Sequence, residues 1–306
     1  MTADHSPAAA RLHEVAEDVY AYVQPDGGWC LNNAGLVAAG DRPALIDTAA
    51  TEARARALRA AVATVTPHAP RYVVNTHPHG DHTFGNRFFT DRAVVVAHEA
   101  TRDEMALAGL HLTTLWPDVC WGDVAVELPG ITFREPLALH VGDVRVELMH
   151  LGVAHTRNDT VVWLPHRRVL FTGDVAMSGV TPFCLTGSVA GSLDVLARLR
   201  ALDPAVVVAG HGPVGGPEVL DAGADYLRFV QDLAAKGIAT GLTPLEAARE
   251  ADLGPYAGLL DSERLVPNLH RAYAEAQGAE PGAPLDIEEL FADMVAFHGG
   301  LPACSA

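Results

Sequence analysis

Four apolar runs in this chain lead into a histidine or an aspartate, and that recurrence limits the possible folds more than any other feature. RYVVN passes directly into THPHGDH at residues 76–82. VRVELMHL is followed by GVAHTRND, which carries His155, RVLFTGD ends on Asp174, and AVVVAGH ends on His211 before GPVGG. Buried strands that finish along one sheet edge satisfy this pattern, because catalytic groups gather where strands end. Imidazole nitrogens and carboxylate oxygens are also ligands for Zn²⁺ and similar first-row ions. A tight turn after the first run lets His77 and His79 share one metal. Asp81 and His82 then point to a second position, with Gly80 giving the backbone freedom between them. One turn cannot supply two metals, so the later strand ends complete the sets. The expected assignment is His77, His79 and His155 on one metal, Asp81, His82 and His211 on the other, and Asp174 bridging both.

The rest of the chain reads as strands and helices in alternation, without a long linker or a low-complexity tract. EVAEDVYAYV, NAGLVAAG, PALIDT, AVVVAH and TVVWLP join the four runs above as strands. TEARARALRAAVATV reads as an amphipathic helix capped by Thr51. From about Pro217 the pattern is almost wholly helical. Two sheets face to face, with helices outside both, bury runs of this kind. The chain therefore reads as one domain over residues 1–306, with a metal-binding core at 13–215 and a helical C-terminal extension at 216–306.

Charge narrows the partners. The formal net charge is −17, from 38 acidic and 21 basic residues, and this opposes binding to a phosphate backbone, so no nucleic acid is expected. The first 20 residues lack a basic start followed by an apolar run, and no later stretch is apolar for long enough to span a bilayer. These features give the expectation of a cytoplasmic protein with no membrane partner. Cys30, Cys120, Cys184 and Cys304 have no paired spacing, so neither a disulfide framework nor a thiolate zinc site is expected, and they read as small buried hydrophobes.

The order HPHGDH, histidine, GD, GHG resembles the metallo-β-lactamase superfamily in its dinuclear hydrolase form. That resemblance, over about residues 13–215, implies the α/β fold known as the αββα sandwich, with the metals at one edge. Asp47, in ALIDT, resembles a family aspartate that is more often structural than a ligand. Aspartate at 174, where zinc β-lactamases usually carry cysteine, disfavours antibiotic hydrolysis. The segments GGWCLNNAG, LTTLWPDVCWGDV, MSGVTPFCLTGSVAGSL, TPLEAAREADLG, LVPNLHRAYAE and GGLPACSA resemble a narrower group. These are the second-ring cyclase/thioesterases of bacterial aromatic (type II) polyketide pathways such as that of actinorhodin. The resemblance implies intramolecular aldol closure of a partly cyclised poly-β-ketone and hydrolytic release from an acyl carrier protein.

The expected chemistry needs no nucleophilic side chain. Two divalent metal ions, with zinc the first expectation and iron or manganese compatible, lower the pKa of bound water and polarise a carbonyl. Asp81 or Asp174 is the group expected to take or steer the proton. The substrate-binding candidates are Trp29, Asn33, Trp116, Trp121, Met177, Phe183 and His270. Each has a plainer alternative: a turn role for Trp29 and Asn33, core packing for the next four, and an ordinary helical histidine for His270. An acidic carrier protein requires a local arginine patch, for which Arg87, Arg92 and Arg228 are candidates. The alternative function is a metallohydrolase of a smaller thioester or lactone. Oligomeric state is open, since the helical extension is long enough to cap the pocket or to form a homodimer face.

Overall fold

Most strand residues alternate between two apolar environments rather than between an apolar one and water, which is why the runs read as continuous hydrophobic stretches. The computed structural model describes residues 10–306, and the strands among them build two sheets. Residues 1–9, on which part of the reading of the chain's start rests, lie outside the described residues. The first sheet carries β1 (Arg11–Ala16), β2 (Val19–Val23), β3 (Ala34–Val37), β4 (Ala44–Ile46), β5 (Tyr72–Val74), β6 (Val94–His98) and β7 (Ile131–Phe133), side by side in chain order. The second carries β8 (Leu137–Val141), β9 (Val144–Met149), β10 (Val161–Leu164), β11 (Val169–Met177) and β12 (Val206–His211), also in chain order. Pairing is antiparallel from β1 to β4 and from β8 to β11, and parallel elsewhere.

Helices cover both outer faces. They are α1 (Glu52–Val65), α2 (Gly80–Thr83), α3 (Glu99–Ala108), α4 (Leu112–Leu115), α5 (Val189–Ala201), α6 (Glu218–Thr240), α7 (Pro244–Glu250), α8 (Leu265–Ala276) and α9 (Ile287–His298). Val162 and Leu164 of β10 face the space between the sheets, where they meet Ile46, Val74 and Val96 of the first sheet. Val161 and Trp163 face the other way, against Leu196, Leu199, Leu220, Leu227 and Leu265 of α5, α6 and α8. On the first sheet, Leu45, Val73 and Val95 point outward to Leu58 and Val62 of α1. Each leucine so buried contributes about 1.5–3 kcal/mol, so the two sheets and their helical covers form the layered αββα arrangement. The sheets approach so closely at β3 that a Cβ on Gly35 would stand 2.3 Å from the Phe171 ring of β11.

Thr51 caps α1 as its sequence implies, its hydroxyl accepting from Arg54 N at 3.4 Å. Three details differ from the sequence reading. EVAEDVYAYV is a hairpin rather than one strand, turning at Asp18, whose φ of 60° ends β1. β7 and β8 are additional strands, the first too short to show an alternation. Asp174 lies within β11 rather than at its end, because the pairing with β12 shifts register on both sides of Gly173, where φ is +50°. Among the described residues, no helix is long and apolar enough to cross a membrane.

Candidate metal centre

The ligand motif leaves β5 and enters α2, with His79 as N-cap and Gly80, Asp81 and His82 in its single turn. The turn brings the His82 ring back against that of His77, their centroids 4.2 Å apart. Gly80 takes no left-handed conformation, contrary to the expectation that it supplies backbone freedom. Its constraint is steric, since a Cβ there would lie 2.4 Å from the Phe84 ring. His82 is anchored through its carbonyl, which accepts from Thr48 N and Thr48 Oγ1, both at 2.9 Å.

The seven expected ligands come together as two groups. In the first, His79 Nδ1 stands 3.1 Å from His77 Nε2 and 2.9 Å from His155 Nε2. Asp174 Oδ2 is 3.8 Å from His77 Nε2 and 3.5 Å from His155 Nε2. In the second, Asp81 Oδ2 is 3.3 Å from His211 Nε2 and 3.8 Å from His82 Nε2. Asp174 reaches this group as well, Oδ1 lying 3.1 Å from His82 Nε2 and Oδ2 3.5 Å from His211 Nε2.

Hydrogen bonds behind the rings fix which nitrogen faces inward. His155 Nδ1 donates to Phe183 O and His211 Nδ1 to Gly27 O, leaving each Nε2 for the centre. Asp47 organises one histidine of each group. Its Oδ2 accepts from His82 Nδ1 at 2.9 Å and from Thr76 Oγ1 at 2.7 Å, while Thr76 Oγ1 accepts from His77 Nδ1 at 3.0 Å. Such outer partners set ring orientation in metal sites.

The donor set fits two cations. His82 Nε2 and Asp174 Oδ1 are buried and close, yet neither makes a hydrogen bond. A buried polar atom without a partner costs about 1–3 kcal/mol, which a cation between them would offset. Burial, reinforced by neighbouring histidines, holds His77 well below the usual imidazole range, and burial likewise lowers His79 and pushes His155 down to about 3. At His211 burial is outweighed by Asp174 and Asp81, which push it up to about 9, and the same carboxylates with Asp47 hold His82 well above its ordinary value. The surrounding imidazoles outweigh burial at Asp81 and Asp174 and keep both ionised.

Of the expected substrate residues, three form a wall beside the first group. Trp29 packs on Trp116 at 5.6 Å and on Phe183 at 5.4 Å, and Phe183 lies 6.1 Å from the His155 ring. Met177 sits behind them, bonded through sulfur to Arg264, whose guanidinium covers Trp29 at 4.1 Å. Glu263 accepts the Trp29 indole N–H at 2.6 Å. Neither residue was singled out from sequence, because a helix start such as SERLVPNL gives no sign of its distant partners. The other candidates are placed differently. Asn33 clamps its loop to Ala209 O and Gly212 O, Trp121 donates to Trp116 O and packs against Phe84, and His270 lies 2.9 Å from Asp293 on α9. Asn33 Nδ2 and the Trp121 indole N–H are thus spent on backbone carbonyls of the scaffold, while Asn33 Oδ1 is buried without a partner. Arg87 and Arg228 are paired with Asp123 and Asp225, so neither offers an unpaired charge.

The chain is similar to several known proteins. The 2,4-dinitroanisole O-demethylase subunit alpha of Nocardioides sp. (strain JS1661) is 25% identical over 216 residues, 67% of this chain and 56% of that protein. The chain thus spans just over half the length of that curated relative. The metallo-beta-lactamase type 2 of Bacteroides fragilis is 25% identical over 231 residues, 69% of this chain and 82% of that one. A solved metallo-beta-lactamase from Pontibacter korlensis superposes with a TM-score of 0.59 at 20% identity, covering 72% of this chain and 99% of its own. The model of the metallo-beta-lactamase superfamily matches residues 27–211, more than half of the sequence, and the chain belongs to that superfamily.

Proposed function

We propose that this protein is a dinuclear metal-dependent cyclase/thioesterase, which closes a ring in an aromatic polyketide intermediate by an aldol reaction and releases it hydrolytically from an acyl carrier protein. The observation that carries the reading is Asp174, an aspartate within reach of both ligand groups, which makes an all nitrogen-and-oxygen site for two metals. His77, His79 and His155 would hold one divalent ion, and Asp81, His82 and His211 the other, with Asp174 between. Such ions, zinc being the first candidate, supply Lewis acidity toward a carbonyl and lower the pKa of bound water. Asp81 is the more open carboxylate, its side chain 12% exposed against 5% for Asp174, which makes it the first candidate to take or steer a proton. Trp29 and Phe183, set edge to face, offer an apolar corner for an aromatic ring at the same rim.

One observation favours the smaller substrate. Trp116 and Trp121 are only 5% and 8% exposed, so the wall that meets a ligand narrows to Trp29 and Phe183. A curated relative named for 2,4-dinitroanisole, a small molecule, is in keeping with this second reading, a metallohydrolase of a smaller thioester or lactone.

Mass spectrometry of a carrier-bound, first-ring-closed polyketide thioester, with metal-loaded and chelated protein, separates the two. Metal-dependent loss of water with release of a free acid is expected. An intact tethered substrate alongside cleavage of a simple thioester or lactone would leave the metal centre standing and remove the polyketide assignment.

A further inference from the structure

The sequence spacing pairs none of the cysteines, but the fold brings two together. Cys30 follows Trp29 in the loop before β3, and Cys304 lies in the segment after α9. That segment returns across the loops beside the metal centre. Trp116 Nε1 donates to Pro302 O at 2.7 Å, and Arg54 Nη2 donates to Ser305 O at 2.5 Å. Cys304 and Ala306 pack on the cluster of Cys30, Ala50, Phe84, Trp116 and Trp121. Cys30 thus lies inside the cluster that Cys304 closes from its partly exposed side.

We propose that Cys30 and Cys304 form a redox-active dithiol that a peroxide converts to a disulfide, fastening the segment after α9 to the loop that carries Trp29. Exposure assigns the roles. Cys30 is 2% exposed, whereas Cys304 is half-buried and can meet an oxidant from solvent. The Cys304 thiolate attacks one peroxide oxygen, the O–O bond breaks, and one water leaves as the sulfenic acid forms. The Cys30 sulfur then attacks the Cys304 sulfur and expels the second oxygen as water with the Cys30 proton. Two thiols are oxidised to one disulfide, and one peroxide is reduced to two waters. The neighbouring Cys30 lowers the Cys304 thiol from its ordinary value, which agrees with Cys304 as the attacking group. The bond would fix a loop that also supplies Gly27 O to His211 Nδ1 and Trp29 to the aromatic wall. Neither of the other cysteines has a thiol partner: Cys120 is exposed, and Cys184 is buried beside Ser192 at 3.4 Å.

The test treats the intact chain with one equivalent of hydrogen peroxide and maps its peptides without reduction. A linked Cys30–Cys304 peptide is expected, reversed by dithiothreitol, with amide exchange across residues 300–306 slowed at least about tenfold. Cys304→Ser should abolish the link and leave Cys30 unoxidised, and Cys30→Ser should leave a Cys304 sulfenic acid that dimedone captures. Conversion of Cys304 to sulfinic acid without a link would overturn the proposal, as would oxidation confined to Cys120. A link that leaves the exchange of residues 300–306 unchanged would overturn the fastening.

Discussion

The two halves of the metal centre use the same side chain and hold it in different protonation states, neutral in one and cationic in the other. His77, His79 and His155 pack on one another, with the His82 ring also against His77, and burial holds them in the neutral, lone-pair form that a metal needs. His82 and His211 stand between Asp81 and Asp174, which outweigh burial and hold protons on both rings in the metal-free protein. The difference teaches that neighbouring carboxylates, rather than the number of histidines, decide whether a site is ready for a cation. The first group accepts a metal as it stands, whereas the second must first release its protons.

Asp174 is the side chain through which the two halves meet, so its loss should erase the contrast most completely. Asp174→Ala is expected to reduce bound metal from two ions to one or none and to lower metal-dependent hydrolysis by more than about a hundredfold, read by elemental analysis and a thioester assay. Asp47→Asn should act unevenly. Asp47 bonds His82 directly and His77 only through Thr76, so affinity at the second position should fall by about 10- to 100-fold, with a smaller loss at the first.

Acidity tests the contrast without a mutation. His211 is raised to about 9 in the folded, metal-free chain, so its stabilising charge is fully present below about 6.5 and is lost as pH rises through 9. His155 is lowered to about 3, so the unfolded chain takes up the extra proton below about 6.5 and stability falls as pH drops toward 3. The metal-free protein should therefore melt at its highest temperature near neutrality, with different groups responsible for the two flanks. His211→Gln should flatten only the alkaline flank in a melting series. The smallest effect is expected at His270, a half-buried partner of Asp293. His270→Ala should shift stability by less than about 1 kcal/mol and leave metal content unchanged.

The residues of the two clusters are legible in the sequence because metal chemistry admits few side-chain types, and because buried strands advertise themselves by apolar runs. Both signals are local. Asp174 stands out because it closes the run RVLFTGD, although in the fold it lies inside β11, where the pairing with β12 shifts register around Gly173. The aromatic wall was less legible, because its parts meet only after folding: Trp29 rests on Arg264 and Glu263, far along the chain. A polar residue on an amphipathic helix has the same pattern whether it faces water or a distant loop. His270 and Trp121 show the converse, being suggestive residue types whose partners prove to be Asp293 and the Trp116 carbonyl. The hairpin of β1 and β2 was hidden because its Glu17–Asp18 turn interrupts the apolar run by only two residues.

The most direct test is a calorimetric titration of the metal-free chain with Zn²⁺ at neutral pH, repeated in two buffers of different ionisation heat. Two binding steps are predicted, the first independent of buffer and the second releasing about two protons. A single step, or equal proton release in both steps, would contradict the account of two inequivalent positions joined by Asp174.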